Sequence, residues 1–252
     1  MNIQIMIQYF FLAGAVLYLV SLAGALLIKN FPVKYIFFAG LLCNFISLGL
    51  RYWICFPMLP LYQGAFFLPF IVGIIGIYYH VFRSNILPGF FLVNVLAWSA
   101  CLFPNDFYLP FLQFKTCFAH GFFLLGVIGK SMFLLGGCVA AQVIFSKEKE
   151  DIEAIKTMGK IVSWGFIFWT LSVFAGAAWS WLGWGSPVIW DDPLMATTMA
   201  TWLLYSLLLH LHLFTFSNIK VRAWCFLGSG FFVFFFNCVT ELGQFKLPGG
   251  FI

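Results

Sequence analysis

The sequence predicts an all-α integral membrane protein, and three observations carry that expectation. Of the 252 residues, 63% are hydrophobic and only 8% are charged, a balance too apolar to clothe a soluble domain of this length. The apolar stretches run to about twenty residues, which is what a helix needs to cross a hydrocarbon core. They also lack the short alternating segments of a membrane β-barrel. A single polytopic domain, 1–252, is therefore expected, built from about eight spans: 4–28, 32–55, 61–81, 87–104, 115–145, 160–183, 196–216 and 221–240.

Taken in order, the first span lacks a basic region and a small-residue cleavage site, so it is expected to be retained. The second ends in LGLRYW, which places Arg51 at its outer end. The third carries His80 at its inner end, before Val81-Phe82-Arg83. The fifth has His120 near its outer start, in CFAHGFF, and Lys130 with Ser131 in mid-span. A buried lysine needs a partner or loses its proton, and a backbone carbonyl, a cofactor carboxylate or nothing at all remain open for Lys130. The mixed-charge run SKEKEDIEAIKTMGK (146–160) reads as a solvated helical extension of the fifth span, with a docking site for a cytoplasmic partner as the alternative. The Phe-rich run 231–237 in the eighth span reads as lipid-facing or packing surface.

Basic residues orient the set. With the N-terminus outside, nine Lys and Arg fall on inner loops, three (Arg51, Lys115, Lys246) fall outside, and Lys130 lies within a span. Both termini and the loop 184–195 are then external. The net charge of +5 reflects this orientation signal, and nothing points to a nucleic-acid partner. The seven cysteines are scattered without a CxxC pair, as expected of small apolar residues inside spans.

The chemistry concentrates between Trp179 and His212, in WSWLGWGSPVIWDDPLMATTMATWLLYSLLLHLH. Four of the ten tryptophans (Trp179, Trp181, Trp184, Trp190) precede Asp191 and Asp192, in a chain with only eight acidic residues. Tryptophan is enriched at membrane interfaces in any case, but a Gly-Ser-Pro break followed by Trp-Asp-Asp is not the pattern of an interfacial belt. An aromatic shelf of this kind suits the large π-face of a porphyrin. His120 lies at the same level and is a candidate iron ligand. His210, deep in the seventh span, is a second one, since an ionisable side chain inside a bilayer is functional by default. His212 is two residues further and points elsewhere around the helix. His80 either pairs with His210 or extends to the inner interface, and Arg51 either neutralises a haem propionate or anchors the interface.

WGSPVIWDDP (184–193) followed by TWLLYSLLLH (201–210) resembles the tryptophan-rich WWD signature of cytochrome c assembly proteins, and the layout resembles the CcsA (ResC) component of a cytochrome c synthase. LGLRYWICFPMLPLYQG (48–64), CFAHGFF (117–123) and FFFNCVTELGQF (234–245) resemble further segments of that family. The resemblance implies non-covalent b-type haem presented at the outer face of a bacterial cytoplasmic membrane. It further implies a CcsB-like membrane subunit and an extracytoplasmic apocytochrome c as partners, and a component of a cytochrome c haem lyase as the activity. His120 matches an external iron ligand and His210 a transmembrane one, while Trp184, Gly185, Trp190 and one of Asp191 and Asp192 match the WWD core. The chain departs from the family at Gln63, Pro187, Val188, Leu194 and Met195, and Gln244 stands where a second external histidine is expected. An alternative reading is a haem-bearing membrane subunit of a respiratory electron-transfer complex, in which the cofactor stays in place.

Overall fold

The computed structural model describes residues 3–28, 32–56, 64–79, 81, 86–105, 117–145, 152–211 and 219–246. His80, His212 and Gln63 lie outside them, and with them the pairing of His80 with His210. Every regular element among the described residues is helical: α1 (Ile3–Leu27), α2 (Val33–Cys55), α3 (Gly64–Tyr78), α4 (Ile86–Leu102), α5 (Cys117–Phe145), α6 (Ile152–Trp184), α7 (Pro193–Leu209) and α8 (Ile219–Val233). The last continues as one π-helical turn, Phe234–Cys238, and a 3-10 turn, Val239–Glu241.

Five stretches are long and apolar enough to cross a membrane: Ile3–Leu27, Val33–Cys55, Cys117–Phe145, Glu153–Trp184 and Lys220–Glu241. They coincide with the first, second, fifth, sixth and eighth expected spans. The remaining three apolar helices, α3, α4 and α7, have 15 to 17 residues. At 1.5 Å per residue they reach about 22 to 26 Å, short of a ~30 Å hydrocarbon core.

Two boundaries differ from the sequence reading. Residues 152–160 are helical and form the first turns of α6, whereas residues 146–151 of the charged run lie outside the described residues. Met158 is buried there, so this end of the charged run has an apolar anchor. The seventh span was expected to run to residue 216 with His210 deep inside it. The described helix instead ends at Leu209, and His210 is its exposed C-cap.

The chain gathers into two compact units, Met1–Phe111 with Glu241–Ile252, and Leu112–Thr240. In the first, α1 packs against α2 and α4, and α3 packs against α4 and α2. Polar side chains stitch this interior together. Ser47 Oγ donates to the Ile7 carbonyl at 2.8 Å, Asn44 Nδ2 to Tyr18 Oη at 3.3 Å, and Asn94 Nδ2 to the Tyr18 carbonyl at 3.0 Å. Without competing water, such bonds join helices whose apolar faces gain little from meeting each other rather than lipid.

In the second unit α5 is the central helix, packed along α6 and α8. Close approach explains its glycines: a side chain at Gly129 would meet the Trp169 main-chain nitrogen at 3.1 Å, and one at Gly137 would meet the Gly230 Cα at 3.3 Å. The helix α7 is tied to α6 by Trp169 Nε1, which donates to the Thr198 carbonyl at 3.3 Å, and by Trp202 Nε1, which donates to Thr170 Oγ1 at 3.0 Å.

Candidate functional site

The loop between α6 and α7 is short and closed by its own hydrogen bonds. Helix α6 stops after Trp184 because Gly185 takes a left-handed conformation (φ 71°), which costs a glycine nothing. The Gly185 amide caps the helix by donating to the Trp181 carbonyl at 2.9 Å. Ser180 Oγ donates to the Ser186 carbonyl at 2.7 Å, and Ser186 Oγ donates to the Val188 carbonyl at 2.9 Å. A turn follows, in which the Asp192 amide donates to the Ile189 carbonyl at 3.1 Å. Asp192 is then the N-cap of α7: its Oδ1 accepts from the Leu194 amide at 2.9 Å, and Pro193 opens the helix where no amide is needed.

The motif WGSPVIWDDP therefore divides by role. Gly185, Ser186, Asp192 and Pro193 build the loop. Trp184 and Trp190 are 54% and 70% exposed, and Asp191 is exposed beside them. Trp181, 59% exposed one turn before the loop, extends the same aromatic surface.

His120, half-buried, occupies the first turn of α5. The structure brings this turn alongside the tryptophan-rich end of α6. A side chain on Gly121 would touch the Ala175 Cβ at 3.5 Å. The Phe122 and Trp179 rings lie 6.1 Å apart, and Trp179 meets Trp184 edge-on at 5.6 Å. A continuous ladder of rings thus joins the His120 turn to the loop.

His210 stands at the other end of α7, about 26 Å along the helix from the loop. Its Nδ1 is 2.7 Å from the Ser206 carbonyl, an acceptor, so Nδ1 carries the proton and donates. The ring thereby takes the carbonyl that the residue's own amide would bond in a continuing α-helix, and that amide turns to the Leu207 carbonyl at 3.0 Å. This competition ends the helix.

Two predicted residues lie in the first unit. Arg51 is buried, with 2% exposure, and its guanidinium carbon sits 3.8 Å from the Phe66 ring centroid. Gln244 is exposed on a segment fastened to the end of α4, where the Gly243 amide donates to the Phe103 carbonyl at 3.0 Å and the Lys246 amide to the Leu102 carbonyl at 2.8 Å. Just before it, Glu241 is buried, and its carboxylate occupies the space that a side chain on Gly64 would need.

Among the described residues no three His, Cys, Asp or Glu cluster as metal ligands, and the seven cysteines are free thiols. A haem iron needs only axial ligands from the protein, together with an apolar face for the macrocycle.

The fold and this loop define a helical membrane protein with an exposed aromatic platform. Compared with known proteins, no family model matches the chain. A stretch of 63 residues is 38% identical to the cytochrome c biogenesis protein CcsA of Panax ginseng, covering 25% of this chain and 18% of that protein. The match thus spans less than a fifth of that relative's length.

Proposed function

We propose that this chain binds haem at the tryptophan loop and presents it for cytochrome c biogenesis. All eight apolar helices would cross a bacterial cytoplasmic membrane, with the loop 184–195 and both termini outside. One observation carries the reading: Trp184 and Trp190 are held out to solvent on a loop whose other motif residues are spent on closing it. Lone tryptophans of an interfacial belt need no such frame. The similarity to a cytochrome c biogenesis protein agrees with this assignment.

In this site Trp184 and Trp190, with Trp181 beside them, supply the faces against which the porphyrin lies, His120 supplies the iron ligand, and the loop's hydrogen bonds hold the rings apart and in register. When held there, haem would offer its vinyl double bonds for addition of the cysteine thiols of an apocytochrome. Asp191 is placed to meet a basic group of that partner, and a CcsB-like subunit completes the assembly.

A second reading, a membrane subunit that retains its haem for electron transfer, is favoured by His210. Its exposed position at the end of α7 suits an axial ligand shared with another chain. The purified protein distinguishes these readings. Under the proposal, the full chain shows a Soret band that His120→Ala or Trp190→Ala diminishes, and haem passes to a CxxCH peptide. A chain without any Soret band overturns both. Haem that stays put and disappears in His210→Ala supports the second.

A further inference from the structure

In the core of the second unit, three helices converge on one residue that the haem site does not use. Lys130, in the middle of α5, is buried, and its Nζ donates to the Asn237 main-chain carbonyl at 3.2 Å. From the other side, Asn237 Nδ2 donates to Thr201 Oγ1 of α7 at 2.8 Å, and Thr201 in turn bonds the Thr197 carbonyl at 2.8 Å. Asn237 and Thr201 are themselves buried, at 1% and 0% exposure.

Residue 237 is not in an ordinary helix. It lies in the π-helical turn Phe234–Cys238, where the Val239 amide bonds the Phe234 carbonyl five residues back, and a tight 3-10 turn follows at once. A π turn is in effect one residue inserted into an α-helix. It widens the turn and moves main-chain donors away from the carbonyls they would otherwise meet. In a hydrocarbon surrounding, a displaced carbonyl is costly, and so is a buried ammonium. Here each answers the other.

We propose that Lys130 is the clasp that holds the inserted residue in α8, so that the lysine and the π turn are two halves of one device. The inserted residue fixes the rotational phase at which the chain leaves α8. Without it, residues beyond the turn would rotate by about 100° about the helix axis. Lys130 is thus a positioning residue for the π turn itself, acting through the Asn237 carbonyl.

The device predicts a reciprocal effect. Lys130→Met leaves the widened turn without its clasp and lowers the melting temperature of the full chain in detergent. Deleting Phe235, which is 57% exposed, removes the inserted residue, restores α-helical spacing and takes the Asn237 carbonyl away from Lys130 Nζ. It should also lower the melting temperature. Both changes break the same contact, so the double variant should lose less than the sum of the two single losses. Hydrogen exchange of the amides of 238–240 should quicken in Lys130→Met, and the same substitution should add little to it in the deletion background. Losses that simply add, or singles that melt like wild type, overturn the proposal. Where Lys130→Met does not accumulate, Lys130→Gln, whose shorter amide falls short of the carbonyl, is combined with the same deletion and read in the same way.

Discussion

At its first turn α7 has a carboxylate on its amides and a proline where no amide is needed, preceded by a loop that bonds itself shut. At its last turn the exposed ring of His210 lies against the Ser206 carbonyl, 2.7 Å from Nδ1. The first end spends Asp192 and Ser186 on its own frame and presents aromatic faces beside exposed Asp191. The second is closed by the side chain it presents. A frame and a surface are thus separate residues at one end of the helix and a single residue at the other.

Removing the aromatic faces should give the largest effect. Two ring contacts of about 0.5–1.5 kcal/mol each amount to roughly a 5- to 150-fold loss in haem affinity for Trp184→Ala combined with Trp190→Ala. Both side chains are exposed, so the melting temperature should hold, and haem titration with calorimetric melting checks both at once. Unchanged affinity would remove the loop from the haem reading.

Gly185→Val comes next. A β-branched residue at φ 71° should cost about 1–2 kcal/mol, seen as a lower melting temperature with weaker haem capture in the same variant. Asp192→Ala should cost about 1 kcal/mol through the lost cap, with Asp192→Asn largely restoring it, whereas Asp191→Ala should stay within about 0.5 kcal/mol. Equal losses at the two aspartates would erase the division of the motif into frame and surface. The smallest change in stability, within about 0.5 kcal/mol, is expected for His210→Ala. The same variant should lose low-spin b-type absorbance if haem resides at that end.

Much of this was legible in the sequence. Helical class and membrane character follow from composition and run length, since burying twenty apolar residues in lipid leaves little choice of structure. The loop was legible because its glycine, aspartate and proline each have a local backbone reason to be there. The end of α7 was not, because no proline or glycine marks it. A histidine side chain competing for a carbonyl stops the helix, and periodicity carries no trace of that. The π turn was equally hidden. A Phe-rich run reads as plain apolar surface, and only Asn237 within it hints that a polar partner waits inside. Lys130 stands out in the sequence, but a backbone carbonyl, a cofactor carboxylate and no partner at all stay open there, because the carbonyl it bonds lies 107 residues away.

That separation sets an order of events during synthesis. At about 5–20 residues per second, the 107 residues between Lys130 and Asn237 take roughly 5 to 20 s to emerge. For that interval α5 exists while the carbonyl that will bond Lys130 has not yet been made. The contact between α5 and the π turn therefore forms only when α8 arrives, so the last helix made completes the packing of the central one.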